Sequence, residues 1–223
     1  MGLYDIVIIG GGAAGLFAAA WLARLGKENN TTCKVVLVEK MERCGRKIAI
    51  TGKGRCNITN MKPWQEFLHY VHPKNSFFKN SFYGCSNVAT VEFFNSIGLE
   101  TVVERGDRVF PVSMKAQDVT DSLVRYATAN GVEIINNFCV ESILSKEQKF
   151  TITSTGNKVI ESNAVIIATG GLSYPSTGST GDGYEFAKSF GHKITTCFPS
   201  LTALKPFGYK EQFWGISLKN VSV

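Results

Sequence analysis

The chain has 223 residues, an ordinary globular composition and a net charge of +6 from 24 Lys and Arg against 18 Asp and Glu. That length supports one or two domains with a sizeable core, and the lack of internal repeats or biased segments excludes a repeat array or a low-complexity chain. The six cysteines (33, 44, 56, 85, 139 and 197) include no CxxC and the three histidines (69, 72 and 192) are scattered, so no metal site is expected. The cysteines read as reduced thiols of a cytosolic protein.

The first forty residues carry the strongest signal. Asp5-Ile-Val-Ile-Ile9 reads as a buried parallel strand, Gly10-Gly-Gly-Ala-Ala-Gly15 as a tight turn, Leu16 to Leu25 as an alanine-rich helix, and Lys34 to Glu39 as a second strand. This is a βαβ dinucleotide-binding unit. In it Gly10 turns the chain off the strand, Gly12 lets backbone approach a pyrophosphate, and Gly15 lets the helix pack on the sheet. The helix N-terminus offers free N–H groups and partial positive charge to that pyrophosphate. Glu39, 24 residues after Gly15, is placed to accept hydrogen bonds from ribose hydroxyls and to repel a 2′-phosphate. Ile6 to Leu25 is long and apolar, yet the three glycines inside it and Asp5 before it argue against a signal peptide or membrane span.

Between Lys40 and Arg55 six cations (Lys40, Arg43, Arg46, Lys47, Lys53 and Arg55) meet only Glu42. With no aromatic interleaved, an anionic cofactor is a more economical partner for them than nucleic acid. The stretch from Met41 to Asn60 shows no helix or strand period and is expected to be a loop. Lys62 to Gly98 reads as helical segments with Trp64, Phe67, Leu68 and Val71 on one face and Val91, Phe93, Phe94 and Ile97 on another. Leu99 to Pro111 is expected to form a hairpin turning at Gly106-Asp107. Ala116 to Asn130 is an amphipathic helix stopped by Gly131, and Val132 to Asn136 returns as a third strand. Phe138 to Leu144, Phe150 to Ser154 and Lys158 to Glu161 form an antiparallel excursion. Ala164 to Gly171 then re-enters the sheet as an apolar parallel strand ending in a second glycine turn. Gly181 to Gly191 is a helix capped by Asp182, followed by a strand-like Lys193 to Phe198.

Five stretches together resemble the bacterial BaiN-like and aminoacetone-oxidase-like FAD flavoproteins. They are Gly10 to Gly15, Gly45-Arg-Lys-Ile-Ala-Ile-Thr-Gly-Lys-Gly-Arg-Cys-Asn-Ile-Thr-Asn60, Arg108-Val-Phe-Pro111 with Lys115-Ala116, Ala168-Thr-Gly-Gly-Leu-Ser-Tyr-Pro175 and Thr180-Gly-Asp-Gly183. The first is shared by many flavoproteins and the second is far more specific. Cys44 and Thr51 stand where the family more often has Gly and Ser.

The resemblance implies an α/β fold: a Rossmann-like, doubly wound parallel sheet with a β-meander, of the glutathione-reductase type, over residues 1–195. A helical and hairpin insert would lie at about 61–115, and 196–223 would begin an incomplete β-rich second domain, Ser217 to Val223 being strand-like. It also implies that Gly10, Gly12, Ala14 and Gly15 hold the pyrophosphate and that Glu39 and Lys40 hold the adenosine ribose. Arg46, Lys47 and the turn of Thr51, Gly52, Gly54, Arg55, Cys56 and Asn57 would line the flavin and its ribityl chain. Val140, on the strand next to the third parallel strand, would meet the adenine through its backbone, and Thr169, Gly170 and Gly171 would border the cofactor.

The expected activity is that of an FAD-dependent oxidoreductase passing hydride through flavin N5, with NAD(P)H or a small organic molecule as donor. No acid, base or nucleophile is assigned, and no second GxGxxG follows a strand. The alternatives are a disulfide reductase using Cys44 and Cys56, a tRNA-acting flavoprotein, and a non-catalytic nucleotide-binding module. No membrane partner is expected.

Overall fold

The computed structural model describes residues 2–71, 75–199 and 207–208, and the expected strand at Ser217 to Val223 lies outside them. The chain divides into two compact units, Met1–His192 and Lys193–Val223. In the second, residues 193–199 form no strand, contrary to expectation. Their lone apolar pair, Ile194 and Phe198, lies among polar residues without period-2 alternation.

The first unit opens with the expected βαβ: β1 (Leu3–Ile9), α1 (Ala13–Glu28) and β2 (Val35–Val38). All four residues of β2 are buried, so both faces of the strand are covered. Then come α2 (Arg46–Ile50) and β3 (Thr59–Asn60), inside the stretch expected to be pure loop. A helix of five residues is too short to show a period, which is why sequence reading missed it.

The insert supplies α3 (Trp64–Phe67), α4 (Asn75–Gly84), α5 (Asn87–Ser96) and the hairpin β4 (Thr101–Glu104) and β5 (Arg108–Pro111). Ser86 caps α5 by accepting the Ala89 N–H at 3.1 Å. Gly106 and Asp107, both at positive φ, turn the hairpin as expected. The strands β3, β5 and β4 make a small antiparallel sheet. α6 (Ala116–Ala129) and β6 (Glu133–Ile135) follow, then β7 (Val140–Lys146), β8 (Lys149–Ser154), β9 (Val159–Ile167) and α7 (Asp182–Ser189).

The main sheet runs β6-β2-β1-β9-β8-β7, with the first four strands parallel and the last two antiparallel. The expected strands at 158–161 and 164–171 are one strand, β9. Its first half pairs with β8 and almost its whole length with β1. One layer of core packs α1, α5 and α6 on one side of the parallel strands, through Leu16, Ala19, Ala20, Phe93, Leu123 and Ala127. Alanines along α1 let its backbone come close, while Phe17 and Trp21 meet Phe93 at ring distances of 4.9 and 5.4 Å. The other layer packs Val7, Val36 and Val38 against Phe138, Ile143 and Ile152 of the meander. Truncating one of the fully buried members, such as Leu123→Ala, costs about 2–5 kcal/mol.

Tyr4 fastens β1 to β6 across β2, its Oη donating to Glu133 Oε2 at 2.6 Å. Burial, reinforced by the hydrogen bond and charge of Glu133, pushes the phenol up to about 12. The folded state therefore favours the neutral phenol. The stability this contributes is intact below about pH 10, the ordinary tyrosine value, and is lost as pH rises through the folded value. Circular-dichroism melts between pH 10 and 12 should show the wild type losing stability more steeply than Tyr4→Phe.

Candidate nucleotide-binding site

The two glycine turns meet at the carboxyl end of β1 and β9. Gly10 has φ +107° and lies so close to β9 that a Cβ there would come within 2.6 Å of Ala168 O. A Cβ on Gly15 would collide with the Gly10 carbonyl oxygen. Gly12 differs: a Cβ there would meet nothing within 4 Å. It precedes α1, whose N-terminus has no side-chain cap and no acid in its first turn, and Ala14 beside it is exposed. An uncapped positive helix end facing open space fits a pyrophosphate.

Glu39 is buried at the end of β2. Its Oε2 accepts the Gly11 N–H at 2.7 Å and its Oε1 the Met41 N–H at 2.8 Å. Each carboxylate oxygen keeps a second lone pair, so both can still accept a ribose hydroxyl. Beside it, Lys40 Nζ donates to Thr180 Oγ1 at 2.6 Å and Asp182 Oδ2 at 2.7 Å. Asp182 is the first residue of α7 and makes no cap hydrogen bond; Gly181 holds the cap position at φ +87°. This corrects the expected capping role, because the carboxylate is spent on Lys40 and Thr180 instead. Burial raises its pKa, but those hydrogen bonds outweigh the burial and hold it below the ordinary carboxylate value.

Gly10, Glu39, Lys40, Val140, Thr169 and Asp182 line a single pocket. Val140 reaches it by a route other than the one expected. β7 stands at the opposite edge of the sheet from β6, not next to it. The meander instead packs over the sheet face, and Phe138 N donates to Glu39 O at 2.9 Å, which brings the start of β7 to the pocket. On the other side Thr169 Oγ1 accepts the Gly183 N–H at 3.1 Å. Gly170, at φ +78°, lies against Ser179, and Gly171 against Tyr184.

Of the remaining cations Arg46, Lys47 and Arg55 are engaged with protein groups, while Arg43 and Lys53 are exposed. Arg46 pairs with Glu42 at 2.7 Å and also donates to Ser176 O at 3.2 Å. Lys47 donates to Ser173 Oγ at 3.3 Å. Arg55 pairs with Glu104 at 3.0 Å and lies 4.3 Å from the Phe110 ring centre. Asn57, its amide oriented with nitrogen toward them, donates to Thr59 O at 3.0 Å and Val109 O at 3.3 Å. Thr51 Oγ1 donates to Ile48 O at 2.7 Å. Gly52, Lys53, Gly54 and Cys56 all have positive φ. Arg55 and Asn57 thus tie the turn after α2 to the insert, Cys56 N bonds back to Thr51 O, and Arg46 and Lys47 reach the segment after β9. Sequence reading missed Gly11, whose N–H holds Glu39, together with Phe138 and Thr180. The Thr180 to Gly183 motif was visible, but its partner Lys40 is distant in sequence.

All six cysteines are free. Burial, helped by the charge of Glu39, pushes the Cys44 thiol up to about 12. Burial also raises Cys56, opposed by a hydrogen bond with Thr51. Two buried thiols kept protonated are poor nucleophiles, which speaks against the disulfide-reductase alternative. Among the described residues no cluster could hold a metal ion, and no helix is long and apolar enough to cross a membrane.

Two measurements check this site. At pH 8 a thiol reagent should modify the exposed Cys33 and Cys197 in the native protein and reach Cys44 and Cys56 only on unfolding, as peptide mapping would show. The Lys40–Asp182 pair should stabilise the fold by about 0.2–1 kcal/mol. That contribution is present above the unfolded carboxylate value near pH 4 and disappears as pH falls below it, so Asp182→Asn should flatten the acid limb of the Tm profile.

A 3-dehydro-bile acid delta(4,6)-reductase of Clostridium scindens is 36% identical over 200 residues, covering 90% of this chain and 47% of that protein. A ribosomal RNA dihydrouridine synthase of Escherichia coli is 30% identical over 204 residues, covering 92% and 48%. The chain thus spans about half the length of these relatives. Among solved structures, adenylylsulfate reductase from Archaeoglobus fulgidus shares the fold, with a TM-score of 0.59 at 21% identity over 83% of this chain and 35% of that one. The family model described as the HI0933-like protein Rossmann domain matches residues 4–223. With the glycine turns, Glu39 and the meander in place, the chain belongs to this HI0933-like Rossmann-domain family.

Proposed function

We propose that the chain binds FAD with its pyrophosphate on the N-terminus of α1 and its adenosine ribose on Glu39, and that the protein reduces a carbon–carbon double bond conjugated to a carbonyl. The observation that carries the binding half is the open, uncapped N-terminus of α1 at Gly12, beside a buried carboxylate with lone pairs to spare. Gly10 and Gly15 set the approach, Thr169 lines the pocket with Gly170 and Gly171 following it toward the cofactor, and Val140 offers backbone to an adenine edge. Arg46, Lys47 and the turn from Thr51 to Asn57 form the wall assigned to the flavin. FAD held there would supply hydride chemistry, with NADH or NADPH as the transient reductant.

The reaction class rests on the chemistry common to the relatives. The bile-acid reductase is named for the delta(4,6) bonds of a 3-dehydro substrate, and the other relative is named for making dihydrouridine. Saturating the ring of uridine and saturating a dienone are both reductions of a double bond in conjugation with a carbonyl. RNA as the substrate is the second reading, favoured by the latter name. Against it, Lys40, Arg46 and Arg55 are paired with carboxylates, although Lys47 meets a neutral hydroxyl and Arg43 and Lys53 are exposed, so the run is compensated only in part.

The test is spectroscopic. The purified protein, mixed with FAD and desalted, should retain a flavin absorbance that bleaches anaerobically with NADH or NADPH. A 3-oxo-4,6-diene steroid or a uridine-containing ribosomal RNA fragment should then restore the colour. Retained flavin that neither compound reoxidises would overturn the reaction class, and a colourless protein would overturn the binding assignment.

A further inference from the structure

Ten described residues other than glycine have positive φ, and Tyr174 is the only aromatic among them, at φ +55° and ψ +60°. A bulky side chain pays in strain for that conformation, and glycine would not. The strain is held in place from several sides. Tyr174 O accepts both the Thr177 N–H at 2.9 Å and Thr177 Oγ1 at 2.7 Å. Its neighbour Ser173 accepts from Lys47, and Ser176 O accepts from Arg46. Further along, Thr180 and Asp182 are held by Lys40. Three cations from the β2–α2 region thus clamp one segment, 173–182, that starts at the glycine turn of the pocket. Tyr174 nevertheless stays 63% exposed. Most of the residue's surface thus faces solvent rather than a packed neighbour. A strained conformation maintained to present a side chain to solvent beside a ligand wall is the signature of a functional group.

We propose that Tyr174 is the catalytic acid of the reductase; this rests on the reading given under Proposed function. Saturating a conjugated double bond takes a hydride at the β-carbon and a proton at the α-carbon. The hydride belongs to the cofactor chemistry already assigned, and its two electrons come ultimately from the reduced nicotinamide. The proton comes from Tyr174: the Oη–H bond breaks as the α-carbon–hydrogen bond forms, and the exposed phenolate recovers a proton from water. The ring also offers a flat apolar face on which a planar enone or a uracil can stack. Lys47 and Arg46 are positioning residues in this scheme, acting through Ser173 and Ser176.

Three proteins test it: wild type, Tyr174→Phe and Tyr174→Gly. With FAD loaded, Tyr174→Phe should be bleached by NADH or NADPH at the wild-type rate and should melt at the wild-type temperature. Its recolouring by the 3-oxo-4,6-diene steroid, or by the RNA fragment if that is the active probe, should be slowed on the order of 100-fold or more. Tyr174→Gly should lose recolouring equally, yet without any cofactor it should melt roughly 2–4 °C higher as the backbone strain is relieved. Recolouring of Tyr174→Phe at the wild-type rate would overturn the assignment while leaving the reductase reading intact. A lower melting temperature for Tyr174→Gly would overturn the argument from strain. A wild type that neither probe recolours would remove the reductase reading and this inference together.

Discussion

The arrangement depends on how closely two stretches of bare backbone approach each other. Gly10 faces Ala168 and Thr169 at a separation that leaves no room for a Cβ, and Gly15 faces the carbonyl of Gly10 in the same way. These contacts let β1 and β9 end side by side with α1 starting directly above them. Because the helix is drawn down onto the sheet, its free N–H groups point into the crevice beyond the strand ends, where ligands of open α/β sheets bind. Gly12 has no such neighbour, and that contrast within a single motif separates the glycines required by the fold from one that borders open space.

Charge in the site is organised around internal pairing. Glu39 is satisfied by two backbone N–H groups, Lys40 by Thr180 and Asp182, Arg46 by Glu42 and Ser176, and Lys47 by Ser173. Each partly buried charge has a partner, as the cost of desolvation requires. The bonds made by Lys40, Arg46 and Lys47 also converge on one glycine-rich segment. The side chains proposed to face the cofactor therefore also restrain the neighbouring segment.

Much of this was legible in the sequence, and what was not has physical causes. The βαβ unit, the hairpin and α6 were visible because glycine, hydrophobic period and helix stops agreed on the same boundaries. The continuity of β9 was hidden by Glu161, Ser162 and Asn163, which look like a turn. Ser162 is in fact fully buried, with its hydroxyl donating to Ala164 O at 3.0 Å, so a polar residue passes through the middle of a strand without breaking it. The place of Val140 was misread because strand order is not a local property. Nothing near β7 says that the meander packs across the sheet to reach Glu39. Asp182 had the composition of a cap, and only the fold shows that a lysine 142 positions away takes its carboxylate.

The pairing of β1 with β9 has a consequence for biosynthesis. Leu3 pairs with Glu161 and Ile9 with Ile167, so β1 must wait for a partner made much later in the chain. Until then β1 and β2 form a short apolar ribbon with an open edge, a ready template for mispairing with other chains. Contacts so distant in sequence are slow to form because loop closure precedes any gain from pairing. A strand from the middle of the finished sheet thus waits with one edge open, and the protein's yield in the cell should depend on how quickly translation delivers residues 159 to 167.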